Sequence, residues 1–292
     1  MSGATSATAS SGVPTKGLRG IGIGFWLSVG WLVFVVLVAV LAPWLPIKDP
    51  NLNYIAVGER PPYGPSVTHL FGTDQDARDM FARTVFGART SLVIGFVAIS
   101  FGMVIGGTLG IIAGYYRGWT DRLLSSVMLV LLSFPSLILA ILITSLLDRG
   151  LTTISITLGV LAIAPVARLA RAATLAYADR DFVTATRALG AGDRRIIIRE
   201  LLPNVVIPMS ALALLGMAVA IVAEGGLAFL GLSVEKGTTW GKLILFGAGA
   251  RDLERAPWIA FAPIIVLFLT VLALNYAGDR IRDHFDAREI AL

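Results

Sequence analysis

The chain has 292 residues, no cysteine and a formal charge of +5; 56% of its residues are apolar and only 15% are charged. Soluble domains carry about 25% charged residues, so this balance, with a mean hydropathy of +0.79, excludes an ordinary soluble protein. The missing cysteines exclude disulfides, thiolate metal centres and cysteine nucleophiles, and leave the redox compartment open.

Residues 1–20 are rich in Ser, Ala, Thr and Gly, with only Lys16 and Arg19 charged, and read as a disordered tail. Nearly charge-free windows then predict six membrane-spanning helices, at about 22–45, 90–115, 122–147, 152–175, 203–231 and 257–277. The first is longer than a signal-peptide core and lacks a small-residue cleavage site before Pro43, so it reads as an uncleaved span. The fold class expected is an all-α integral membrane protein.

The segment 46–89 opens with Pro46, Pro50, Pro61, Pro62 and Pro65. Thr73-Asp74-Gln75-Asp76 has the form of a capping box. Behind it Met80, Phe81, Thr84 and Val85 alternate with Arg78, Asp79 and Arg83, which predicts an interfacial helix leading into the second span. That span carries Gly102, Gly106, Gly110 and Gly114, a stripe on one helix face. It reads as a close helix contact, either static packing or a surface that slides during gating; the first is the simpler. Pro135 in the third span and Pro165 in the fourth each remove a helical hydrogen bond and predict kinks.

The longest basic interruption is DFVTATRALGAGDRRIIIRELLPN, residues 181–204. Asp181 is placed to cap one short helix and Asp193 the next, with a corner at Gly190 and Gly192. Ala185 and Ala188 suit a groove, Leu189 offers an apolar anchor, and Arg187, Arg194 and Arg195 form a polar rim. On the residues alone two readings stand level: a docking surface for a soluble partner, or a basic loop held on one side of the membrane by its charge. Placing this loop inside puts both termini inside too.

Glu224, followed by Gly225 and Gly226, is an ionisable residue inside an apolar run. A carboxylate there either lines a translocation path or braces a loosened helix by bonding freed amides. Trp240 and Trp258 fit an aromatic belt. There is no G-x-x-x-x-G-K-[ST] phosphate loop and no G-x-S-x-G elbow. His69 and His284, the two histidines, fall on opposite sides of the expected topology, which argues against a metal site.

The run from Thr184 through Gly190 to Leu201-Leu202-Pro203-Asn204 resembles the cytoplasmic "EAA" coupling motif of ABC importer permeases. Thr184 and Thr186 stand where the motif has glutamate and its second alanine, Glu200 where histidine is frequent, and Gly190 is retained. HLFGTDQDARDMFARTVFGARTSL (69–92), AGYYRGWTDRLL (113–124), FPSLILA (134–140), AEGGLAFLGLSV (223–234), TTWGKLI (238–244), APW (256–258) and NYAGDRIRDHFDAR (275–288) resemble the C-type permease subunit of dipeptide and oligopeptide importers, in order and over most of residues 69–288.

The resemblance implies a type I ABC importer permease fold with six transmembrane helices, in a bacterial cytoplasmic (inner) membrane with both termini cytoplasmic. It divides the chain into a tail (1–20), a first helix with an extracytoplasmic segment (21–89), a core of five helices with a coupling loop at 176–202 (90–282), and a cytoplasmic tail (283–292). It implies no catalytic residue and no cofactor in this chain. ATP and Mg belong to two partner ATPases, one of which would dock on Phe182, Thr184, Ala185, Arg187, Ala188, Leu189, Gly190 and Asp193. The other implied partners are a B-type permease, an extracytoplasmic peptide-binding protein and membrane lipid, with no nucleic acid. The implied cargo is a peptide; nickel chelates, haem and glutathione are alternatives within the family, and an ion-gradient-driven secondary transporter is the alternative outside it.

Overall fold

The computed structural model describes residues 22–55 and 60–289, so the tail expected at 1–20 lies outside the described residues. Eleven α-helices are described: α1 (Ile23–Leu41), α2 (Met80–Tyr116), α3 (Gly118–Ser133), α4 (Ser136–Leu146), α5 (Leu151–Ala178), α6 (Asp181–Ala188), α7 (Asp193–Arg195), α8 (Leu202–Phe229), α9 (Trp240–Gly247), α10 (Ala250–Arg255) and α11 (Trp258–Glu289). A π-helical turn, Ile196–Leu201, joins α7 to α8 into one continuous rod, Asp193–Phe229. Five helices are long and apolar enough to cross a membrane, and the α3–α4 pair makes a sixth span if counted as one. That pair departs from the single third helix expected. Phe134 is extended (φ −79°, ψ 129°) ahead of Pro135, and the two halves are bent by 82°. A residue before proline is sterically pushed out of the α region, and proline supplies no N–H to continue the ladder. Pro165 lies inside an uninterrupted α5.

The centre of the bundle is the α2–α5 contact. The two helices run side by side in the same direction. A Cβ at Gly102 would stand 2.6 Å from the Ala162 Cβ; at Gly106, 2.4 Å from the Ile163 carbonyl oxygen; at Gly110, 2.3 Å from the Ala167 carbonyl oxygen; at Gly114, 2.8 Å from the Thr174 Cβ. The glycine stripe thus lets one backbone lie on the other, as close packing in lipid demands. Around this pair, α8 packs Met209 and Val205 against Ile99, Ile111 and Val166. α1 lays Val35 and Ala39 on Ala218 and Leu274, and Trp31 Nε1 donates to Thr270 Oγ1 on α11 at 3.2 Å.

The expected start of the second helix is corrected. Thr73 does not cap it. Its hydroxyl accepts from the Tyr63 N–H at 2.8 Å, within a compact loop. Asp79 is the cap, its side chain accepting from the Ala82 N–H at 2.9 Å. Asp74 collects the Arg78 and Asp76 amides, Arg78 Nε and Arg83 Nη1 instead. Nor is Met80–Val85 an interfacial helix: it forms the first turns of α2, and Met80, Arg83 and Thr84 are buried. Trp240 is likewise not a belt residue. Trp240 is wholly buried, with its Nε1 donating to the Thr84 carbonyl at 3.0 Å, and Trp258 Nε1 donates to the Thr73 carbonyl at 3.0 Å. At the C-terminus α11 stays helical to Glu289, through much of the expected tail.

Replacing Gly110 by leucine drives a side chain into a backbone carbonyl. We expect the purified Gly110→Leu chain to lose roughly 3 kcal/mol or more and to fall sharply in thermal melting temperature. Gly30→Ala, where a methyl meets nothing within 4 Å, should melt as the parent does.

Candidate coupling hairpin and the Glu224 brace

The basic interruption folds as a helical hairpin at one end of the bundle. α6 is anchored by Val183, which is wholly buried against Ala178, Ile196 and Leu201. The opposite face is free: Thr184, Ala185, Arg187 and Ala188 are exposed, Phe182 is at the edge of exposure, and Leu189 is 89% exposed. A leucine that open takes no part in the core that anchors the rest of the segment. The helix ends in a Schellman arrangement. The Gly190 N–H donates to the Arg187 carbonyl at 3.0 Å and the Ala191 N–H to the Thr186 carbonyl at 3.2 Å. Gly190 has φ +81°, a left-handed value that glycine adopts without a Cβ penalty. Gly192 has φ −72° and needs no such freedom.

Neither aspartate caps its helix through its side chain, contrary to expectation. Asp181 is the first residue of α6, with Arg180 at the N-cap, and Gly192 precedes α7. Asp193 instead accepts from the Tyr115 hydroxyl at 2.7 Å, and Arg187 reaches the same oxygen at 3.4 Å with its guanidinium 5.8 Å from the Tyr115 ring. The hairpin is thereby tied to the last turn of α2. Arg117 Nη2, just beyond α2, donates to Asp179 Oδ2 at 2.7 Å at the end of α5. Tyr115 was not singled out from the sequence. Its signal lay in AGYYRG, where a tyrosine closes the glycine-striped helix. Val183 and Ile196 were also missed; their apolar spacing beside the arginines was the available clue.

Glu224 lies at the other end of the bundle. The helix does not loosen at Gly225 and Gly226; α8 runs through both to Phe229. The side chain is buried, and its Oε1 accepts from Ser233 Oγ at 2.5 Å and Thr239 Oγ1 at 2.9 Å. The bonded groups are hydroxyls of the following loop, not freed amides of α8. Glu224 Oε2 has no hydrogen-bond partner among the described residues and sits 3.1 Å from where a Gly241 Cβ would be. A Gly241 Cβ would also stand 2.6 Å from the Gly225 Cα, so α8 and α9 touch backbone to backbone. Gly226 faces open space. Thr239 in turn caps α9 by accepting from the Lys242 N–H at 3.1 Å, and the Trp240 N–H donates to Ser91 Oγ on α2 at 3.1 Å. Lys242 Nζ holds the Val234 and Gly237 carbonyls, each at 2.9 Å. Burial pushes the Lys242 ammonium below its ordinary pKa, with Glu224 beside it opposing.

His69 Nδ1 pairs with Asp79 Oδ2 at 2.8 Å. Among the described residues no group of three or more His, Asp or Glu side chains is placed to hold a metal ion.

A helical bundle of this length and apolarity, with a polar hairpin at one end, defines a multi-pass membrane protein. The chain belongs to the family described as binding-protein-dependent transport system inner membrane components, which its residues 106–290 match. It is 38% identical over 226 residues to the dipeptide transport system permease protein DppC of Alkalihalophilus pseudofirmus, covering 77% of this chain and 74% of that one. It is 36% identical to the di/tripeptide transport system permease protein DppC of Pseudomonas aeruginosa, covering 90% and 91%. To the glutathione transport system permease protein GsiD of Pectobacterium atrosepticum it is 34% identical, covering 88% and 85%. Its fold is shared with a chain of the MetNI methionine ABC transporter, solved in inward-facing conformations. The TM-score is 0.59 at 23% identity, covering 70% of this chain and 97% of that one. The type I importer permease fold is therefore present, and the chain is a transport subunit of an ABC importer. The gradient-driven alternative falls with that family assignment.

Glu224→Ala would leave two buried hydroxyls without an acceptor and a void beside α9. We expect a loss of about 2 kcal/mol in thermal unfolding of the purified chain, against less than about 1 kcal/mol for Glu224→Gln, which retains an acceptor oxygen.

Proposed function

We propose that this chain is the C-type half of a two-permease conduit that imports peptides across a bacterial inner membrane. A B-type permease completes the conduit. Two ABC ATPases, carrying the ATP and Mg, dock beneath it, and an extracytoplasmic peptide-binding protein delivers the cargo. Both termini lie in the cytoplasm, because the hairpin end carries Arg180, Arg187, Arg194, Arg195 and Arg199, and basic loops are retained inside. The observation that carries the coupling role is the exposed hairpin: an unpartnered Leu189 and two alanines on a short helix fixed by a left-handed Gly190.

The mechanism follows from how the hairpin is attached. ATP binding draws the ATPases together and displaces α6. Val183 and the Tyr115–Asp193 and Tyr115–Arg187 contacts pass that displacement to α2. Because α2 and α5 touch through their backbones, they move as one body. The conduit between the two permeases then alternates between inward- and outward-facing states, each favoured by a different ligand. The peptide cargo is supported by relatives named for dipeptide, di/tripeptide and glutathione transport; glutathione, itself a tripeptide, is the second cargo that these names favour.

The test is reconstitution of the chain with its partner permease, ATPases and binding protein in proteoliposomes, with peptide uptake and ATP hydrolysis measured together. Uptake should require ATP, and uptake without ATPase subunits would overturn the reading. Within that assembly Leu189→Asp should weaken ATPase docking more than tenfold, as loss of a central apolar anchor does. Gly190→Val should reduce uptake per ATP hydrolysed, while Gly192→Ala should not. Equal effects at the two glycines would show that the left-handed corner is irrelevant to coupling.

A further inference from the structure

The groove between α3 and α5 holds a charge that neither the packing nor the hairpin uses. Arg168 and Arg171 stand about one turn apart on α5 and share a helix face. Arg171 is paired: its Nε and Nη2 donate to Asp121 Oδ1 and Oδ2 at 2.5 and 2.7 Å, and Ser125 donates to the same carboxylate at 3.0 Å. Arg168 is exposed, and among the described residues no carboxylate lies within ion-pair distance of it. It stands roughly 15 Å before the end of α5 at 1.5 Å per residue, inside the apolar stretch, where an arginine facing lipid is strongly disfavoured.

Both arginines line a cavity of about 480 Å³ together with Met128, Leu129 and Leu132. Leu132 also borders the next cavity along, of about 250 Å³, whose wall includes Phe134, Pro135 and Leu139. The groove is therefore apolar along its length, with one uncompensated cation toward the hairpin end. Its far wall is the break between α3 and α4, bent by 82°. Non-helical backbone at membrane depth persists only where protein covers it or where it lines a water-filled cavity. An unpaired intramembrane arginine follows the same rule. Both observations turn this face away from lipid and toward the conduit.

We propose that the α3–α5 groove is a wall of the conduit, and that Arg168 receives the C-terminal carboxylate of the peptide in transit while apolar side chains of the peptide lie along Leu129 and Leu132. The inference rests on the peptide-import reading above. A guanidinium fork matches a carboxylate bidentately, as Arg171 already shows with Asp121. With Arg171 locked, Arg168 is the group that can exchange partners as cargo arrives and leaves. A lipid phosphate offers the same chemistry, so the experiment must separate the two.

The experiment uses the complete importer in nanodiscs, nucleotide-free and without binding protein. Trileucine and its C-terminal amide are titrated by saturation-transfer NMR into the parent complex, Arg168→Gln and Arg168→Lys. Free-acid uptake by the same complexes is measured in proteoliposomes. The parent should prefer the free acid over the amide; Arg168→Gln should cut that preference about tenfold and reduce free-acid uptake in parallel, and Arg168→Lys, which keeps the charge but loses the bidentate fork, should restore only part of both. Equal losses for acid and amide would show a packing role and overturn the assignment. So would a parent with no preference, or an effect that follows the anionic lipid content of the nanodisc rather than the peptide terminus. A parent complex that imports no peptide sinks the import reading itself. A parent that imports peptide while Arg168→Gln keeps the acid preference sinks the groove assignment alone.

Discussion

Everything in this bundle is arranged around the contact of α2 with α5, where backbone carbonyls of one helix rest on glycines of the other. Lipid tails are as apolar as leucine, so no hydrophobic force presses membrane helices together. What remains is interhelical hydrogen bonding, lipid entropy and dispersion, and dispersion rewards only close approach. The carbonyl oxygens of Ile163 and Ala167 occupy the space that side chains at Gly106 and Gly110 would fill. A contact built that way has little freedom to slide, because any offset brings backbone against backbone. The glycine stripe, which on sequence alone fits either a sliding or a static surface, thus acquires a mechanical meaning. In the proposed mechanism it makes two long helices into one lever.

The two ends of that lever are fastened differently. At the hairpin end the fastening is Val183 in its apolar socket together with the Tyr115 hydroxyl shared by Asp193 and Arg187. These polar contacts are exposed, so each contributes modestly; the burial of Val183 fixes the position and the hydroxyl fixes the angle. At the opposite end the fastening is buried. Glu224 holds Ser233 and Thr239, Thr239 caps α9, and the Trp240 N–H and indole reach Ser91 and Thr84 on α2. A carboxylate, two hydroxyls and an indole in sequence bind α8, α9 and α2 into one unit. Removing one member of such a network strands the others without partners, and that penalty exceeds what each bond contributes alone.

Much of this was legible in the residues. Charge-free windows located the spans, glycines four apart located the central contact, and the basic run with its two glycines located the hairpin. The failures share a physical cause: a local pattern was outbid by a tertiary partner. Thr73 has the spacing of a helix cap, yet its hydroxyl is taken by Tyr63 and Asp79 caps instead. Asp193 reads as a cap, but it is the first residue of α7 rather than the residue before it, and Tyr115, distant in sequence, claims its carboxylate. Trp240 looked like an interfacial aromatic because only the folded chain brings the Thr84 carbonyl to its indole. Pro135 predicted a kink, and the structure shows a complete break because Phe134 also leaves the helical region. In the sequence Arg168 reads as one of several basic residues. Only the pairing of Arg171 with Asp121 leaves it standing alone.

The central claim is that hairpin, α2 and α5 move as a rigid body when the ATPases close. The chain contains no cysteine, so spin labels can be placed at will on Asp181→Cys, at the start of α6, and Val104→Cys, on the exposed face of α2. Pulsed electron resonance on the reconstituted importer should give one unchanged Asp181–Val104 distance with and without a non-hydrolysable ATP analogue, while the distance from Asp181 to a label on the partner permease changes. An intrachain distance that shifts by several ångströms on nucleotide binding would mean that the hairpin swings free of the helices, and would contradict the account.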